Sequence, residues 1–259
     1  MPELPYSLER TVSIKAEPEV VFRFFTDSTR WASWWGAHST IEAKPGGKVY
    51  IRHANGIESL GEVLEVRPPE QITFTYGYAS GKPIPPGGSR VIIRLRRQPG
   101  GTQLHLRHEF AEANARDEHV QAWRFQLSLF GNAVANEVFA EAAARIDAWF
   151  GAWILADDRA REEALLRIVT SRICFRDRYS LLDGVADLSA HIGAAQRFMP
   201  GIGLQRKGEI RHCQGTVLAD WIAMGGDGQQ RMNGTSVFVF SPDVRIESVT
   251  SFANSARSA

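Results

Sequence analysis

The chain has 259 residues, a formal net charge of +1, and 44% hydrophobic and 23% charged side chains. This is the composition of a globular protein with room for two ordinary domains. Its balanced charge argues against the sustained basic surface that nucleic-acid binding needs.

No apolar run reaches the ~18–20 residues of a membrane span. Met1 to Pro5 carry no basic or apolar leader, so a cytoplasmic location is expected. Cys174 and Cys213 are then expected as reduced thiols.

In chain order, 8–16 reads as a strand with Val12 and Ile14 on one face. Glu17-Pro18 opens a short helix, because proline is tolerated in a first turn, and Val20, Val21, Phe24 and Phe25 give it a buried side. Trp31, Trp34 and Trp35 follow. Pro45-Gly46-Gly47 and Asn55-Gly56 are turn signals around a strand at 48–53. Further strands are predicted at 58–66, 71–78, 90–97 and 102–110, with Pro99-Gly100-Gly101 turning the last pair. Consecutive strands joined by short turns pair antiparallel.

Alternation sets the faces of these strands. Ile51 with His53, Phe74 with Tyr76, and Leu104 and Leu106 with His108 share inward sides. His105 points the other way. His53, Tyr76 and His108 are therefore polar groups on apolar faces, and each needs a partner if buried. They satisfy one another within a core, or they line a cavity under the next helix.

That helix lies in a stretch, 117–170, with no proline and two glycines. Val120, Trp123, Leu127, Phe130, Val134 and Val138 form its buried stripe. Ile146, Trp149, Phe150 and Trp153 form a second stripe. Asp157-Asp158 cap a helix predicted over 157–170. A strand at 172–179, a helix at 185–199, and strands at 204–213, 216–224, 232–240 and 245–252 complete the chain. Among the inward candidates for a second site are Tyr179, His191, His212, Trp221 and Asn233. Asp220 has the opposite parity to Trp221 and is expected outside.

Residues 8 to 140 resemble the SRPBCC (START-like) superfamily, in the branch of homologues of the activator of the heat-shock chaperone ATPase. The similarity lies in 21–27, Trp34-Trp35-Gly36, Pro45-Gly46-Gly47, 61–66, Pro68-Pro69-Glu70, 72–76 and Trp123. It implies a helix-grip fold with a hydrophobic cavity and no particular reaction.

Residues 145 to 253 resemble the SnoaL-like branch of the nuclear-transport-factor-2-like superfamily. That similarity lies in Trp149, Trp153, Asp157-Asp158-Arg159, His191-Ile192, Met199-Pro200-Gly201, Trp221, Gly234-Thr235 and 245–252. Two departures stand out. Ser236 occupies a position that is often acidic in relatives, which weakens acid–base chemistry there. Val244 replaces the glycine of the usual turn.

The expected architecture is α+β in two domains. Residues 1–140 form a helix-grip domain, a curved antiparallel sheet around a long C-terminal helix. Residues 141–259 form a cone-shaped barrel of three helices on a curved antiparallel sheet. Trp35, His53, Tyr76, His108 and Trp123 are expected to line a first pocket; Tyr179, His191, Trp221 and Ser236 a second. The expected ligand is a small apolar molecule.

No phosphate loop, dinucleotide fingerprint, nucleophile elbow or zinc motif is present, so no metal or cofactor is expected and no catalytic residue is assigned. Polyketide-cyclase-like or isomerase-like chemistry in the second domain is one alternative. A chaperone-regulating role, with an exposed patch at Trp31 and Trp34, is another. Leu218, Ile222, Val237 and Val239 share the convex face of the second sheet, where the resemblance implies a homodimer contact.

Overall fold

The computed structural model describes residues 3–254. The chain divides into two compact units, Met1–Glu137 and Val138–Ala259. Each contains one sheet and its own helices, which makes the fold α+β.

The first unit begins with β1 (Tyr6–Ile14), α1 (Pro18–Arg23) and α2 (Ser28–Trp35). Pro18 sits in the first turn of α1, and the Asp27 carboxylate caps α2 by accepting the Arg30 amide at 2.8 Å. Then come β2 (Thr40–Ile41), β3 (Lys48–Arg52), β4 (Glu58–Arg67), β5 (Gln71–Tyr78), β6 (Ser89–Gln98), β7 (Gly101–Phe110) and the long α3 (Ala113–Val138).

The strands form an antiparallel sheet in the order β1-β7-β6-β5-β4-β3-β2. Ile72, Phe74, Val91, Ile93, Leu104 and Leu106 supply its core face. From α3, Trp123, Leu127, Phe130 and Val134 are buried, as the 3.6-residue period requires. Phe130 stacks on Phe25 at 4.8 Å and meets Trp34 edge-on at 5.0 Å. Trp31 and Trp34 are therefore core residues, 0% and 2% exposed, and do not form the surface patch expected of a chaperone-binding site.

The second unit holds α4 (Ala142–Ala152), α5 (Asp158–Leu166), β8 (Val169–Arg176), β9 (Leu181–Asp183), α6 (Val185–Phe198), β10 (Gly203–Cys213), β11 (Thr216–Met224), β12 (Gln230–Phe240) and β13 (Ile246–Ala253). Its sheet runs β10-β11-β12-β13-β8-β9, open at both edges. The β13–β8 pair is parallel and the rest are antiparallel, which corrects the all-antiparallel sheet. Helix α5 is also shorter than its capping signal suggests. Ile168 and Val169 belong to the sheet side, because β-branched residues follow the last helical turn at Leu166.

Two local features hold this unit. Arg161, 1% exposed, donates to the Ser189 carbonyl at 3.0 Å and the Leu155 carbonyl at 2.8 Å, and pairs with Asp158. Gly193 lies directly against its guanidinium. In the β12–β13 turn, Val244 has φ 60°, a left-handed conformation that a β-branched residue adopts only under strain.

Candidate functional site

A cavity of about 340 Å3 lies within the first unit. Trp35 from α2, His53 after β3, Tyr76 and Tyr78 from β5, and His119, Ala122, Trp123 and Gln126 from α3 form its wall. Ile57, Phe125 and Leu129 surround it and are exposed, Phe125 by 65%.

The protons on this wall can be placed by elimination. An indole N–H only donates, so Trp123 Nε1 donates to His108 Nδ1 at 2.9 Å. His108 Nε2 must then carry the ring proton, and it donates to Ser89 Oγ at 2.8 Å. Ser89 Oγ donates in turn to the Tyr76 carbonyl at 2.7 Å. His108 is fully buried behind the wall with both nitrogens occupied, and it does not line the cavity. The indole proton of Trp123 is likewise taken, although its ring faces the cavity.

A second chain runs along the wall itself. The Ala115 carbonyl only accepts, so His119 Nδ1–H donates to it at 2.7 Å. His119 Nε2 is left as an acceptor and takes the Tyr78 hydroxyl proton at 3.1 Å. Nearby, Ser59 Oγ donates to the Tyr76 hydroxyl at 3.0 Å, and His53 Nε2 lies 3.1 Å from Ser59 Oγ.

Burial pushes the pKa of His53 and His119 below the ordinary 6.5 and that of His108 well below it. For His119, burial outweighs the Ala115 carbonyl and Glu118, which favour the cation. Burial also raises the Tyr76 phenol. The wall is therefore neutral at pH 7.

A cavity of about 350 Å3 lies within the second unit, lined by Trp149, Phe150, Trp153, Phe175, His191, Met199, Leu204, Trp221, Met232 and Ser236, among others. The His191 ring sits 5.9 Å from both Trp153 and Phe175. Ser236 Oγ donates to Ser251 Oγ at 2.9 Å across the β12–β13 pair, so a hydroxyl couple stands where a carboxylate would give acid–base chemistry. Trp153 Nε1 and Trp221 Nε1 are buried without a partner, and the Trp221 ring occupies the space that a side chain at Gly234 would need.

Tyr179 also lines this cavity but is 84% exposed, with the Arg178 guanidinium 5.6 Å from its ring centre. Asp177 is the one carboxylate among the described lining residues, and its Oδ1 accepts the Tyr179 amide at 2.8 Å. His212 accepts the Gly215 amide at 2.9 Å and lies off the lining. Asn233 is also off the lining, and Asp220 accepts from Thr235 at 2.6 Å and pairs with Arg211.

A larger groove on the first unit, about 680 Å3, is lined by Arg67, Arg94, Arg96 and Arg97. Two of these charges are paired locally, Arg97 with Glu19 and Arg67 with Glu65, while Arg94 donates to the neutral Gln71. Among the described residues, no group of three or more His, Cys, Asp or Glu side chains is placed to hold a metal ion. Among the described residues, no helix is long and apolar enough to cross a membrane.

Residues 15–134 match the family described as activator of Hsp90 ATPase homolog 1-like protein. The match lies within the first unit and covers a little under half of the chain.

Among solved structures, the chain is similar to a SnoaL-like family protein from Agrobacterium tumefaciens (20% identity, 44% of this chain and 98% of that one, TM-score 0.43). It is also similar to protein MLL2253 from Mesorhizobium loti (19% identity, 51% and 98%, TM-score 0.46). A third is CalU16 from Micromonospora echinospora (25% identity, 56% and 86%, TM-score 0.42). No curated protein matches the chain.

Proposed function

We propose that the protein binds small apolar molecules, one in each unit, without itself performing a reaction. The observation that carries this reading is the wall chemistry of the second cavity. It is built mainly of aromatic and aliphatic side chains, and its Ser236 and Ser251 hydroxyls bond each other. Both cavities fall at the small end of the about 300–1,000 Å3 range of ligand sites.

Cyclase-like or isomerase-like proton transfer needs a desolvated acid or base with an orienting partner. In the second cavity Ser236 takes the position where such a group would sit, and His191 lies between aromatic rings. We further propose that the protein is cytoplasmic, with Cys174 and Cys213 as free thiols. We also propose a homodimer through the half-exposed Leu218, Ile222, Val237 and Val239 face. Light scattering should then give about twice the 28.8 kDa chain mass; the monomer mass would rule the dimer out.

Titration of the full chain with N-phenyl-1-naphthylamine, a neutral probe that fluoresces in apolar surroundings, tests the binding reading. Two saturable sites per chain are expected. Ala122→Trp should remove the first and Ala195→Trp the second, because each alanine lines one cavity. Unsaturable signal, or sites indifferent to both substitutions, would contradict it.

A further inference from the structure

We propose that the first cavity selects a neutral apolar molecule bearing a hydroxyl group, and that the Tyr78–His119 pair makes the selection. This deepens the reading of that cavity as a binding site and depends on it.

The polarity of the wall follows from the proton placement. The Ala115 carbonyl fixes the Nδ1–H tautomer of His119, so His119 Nε2 holds the Tyr78 proton. The Tyr78 oxygen, one lone pair of which faces the Tyr76 hydroxyl, can then meet a ligand only as an acceptor through the other. Both side chains line the cavity, so a ligand that reaches Tyr78 must bring a donor. On the same wall, Trp35 Nε1 is buried without a partner and keeps its proton.

A hydroxyl both gives and takes a hydrogen bond. An ether or a ketone only takes one, and it would leave the Tyr78 oxygen facing a second acceptor. A carboxylate is disfavoured as well, because the imidazoles are neutral and the flanking Trp35, Ala122, Trp123 and Phe125 offer it no positive charge.

The sequence hides this pair in plain alternation. Tyr78 continues the Ile72, Phe74, Tyr76 face of β5 by one further residue. His119 precedes Trp123 by one helical turn on α3.

The test compares three probes of matched shape on the full chain: 2-naphthalenemethanol, 2-(methoxymethyl)naphthalene and 2-ethylnaphthalene. Binding is followed by calorimetry and by the Trp35 indole N–H resonance, assigned with Trp35→Phe. The alcohol should bind about five-fold tighter than the ether, the size of one net hydrogen bond.

Tyr78→Phe should erase that preference by bringing the alcohol down to the affinity of the ether. His119→Phe should also erase it, but by strengthening the ether, because the Tyr78 proton is then free to be donated to ether and alcohol alike. A merely structural role for His119 would weaken all three probes together.

Equal affinity for alcohol and ether, with the Trp35 resonance shifted by both, would overturn the proposal and leave the binding reading intact. If no probe binds, the binding reading of this cavity fails and the proposal fails with it.

Discussion

The Trp123–His108 hydrogen bond offers a direct test of the proton placement in the first unit. Trp123→Phe keeps an aromatic ring on α3 but removes the donor, leaving His108 Nδ1 without a partner in a fully buried site. The penalty for one such buried group is about 1–3 kcal/mol. His108→Leu strands the Trp123 indole proton, at a similar cost, while Ser89 keeps its bond to the Tyr76 carbonyl.

The double variant removes both ends of the Trp123–His108 bond. Its loss should fall short of the sum of the single losses by at least about 1 kcal/mol. The volume lost with the indole appears on both sides of the cycle and cancels. Urea unfolding followed by far-UV circular dichroism measures this, with the two units fitted as separate transitions. Additive single losses would refute the placement of the shared proton between these two rings.

Other expectations follow from the same geometry. His53, His108 and His119 all have folded pKa values below 6.5, so the unfolded chain takes up protons first as the pH falls. Stability of the first unit is thus fully present above about pH 6.5 and declines below it, and a urea midpoint unchanged between pH 7.5 and 5.5 would contradict this. Arg161→Met leaves the Ser189 and Leu155 carbonyls without their donor and should cost the second unit at least about 3 kcal/mol in thermal or urea unfolding. Val244→Gly relieves a left-handed β-branched residue and should stabilise the same unit by about 1 kcal/mol, net of the entropy that glycine loses; a loss of stability would show that the turn is not strained.

Much of the fold was legible in the chain because periodicity and turn chemistry agreed. The β5 face of Ile72, Phe74 and Tyr76 and the α3 stripe from Trp123 to Val134 follow directly from periods of two and 3.6 residues. The parallel β13–β8 pairing was not legible, because alternation along a strand carries no information about its neighbour's direction. The strand start at Val169 was masked by the capping signal at Asp157, which marks where a helix begins and not where it ends.

The site was legible in part. Parity placed His53, Tyr76 and His108 on the inner side, but it could not tell a wall residue from one buried behind the wall. His108 falls behind because Trp123 and Ser89 occupy both its nitrogens, a fact of three-dimensional contact. The exposure of Tyr179 has a similar origin: it follows β8 in a turn, where strand parity has lapsed. Nothing in the sequence marks Arg161, because only the fold brings the Ser189 and Leu155 carbonyls to its guanidinium.

Native mass spectrometry of the full chain, compared with its denatured mass, tests the central claim most directly. The protein is measured as purified and again after incubation with 2-naphthalenemethanol. Binding in the two cavities predicts a small-molecule adduct that is present in the native spectrum and lost on denaturation. A bare polypeptide mass under both conditions would contradict it.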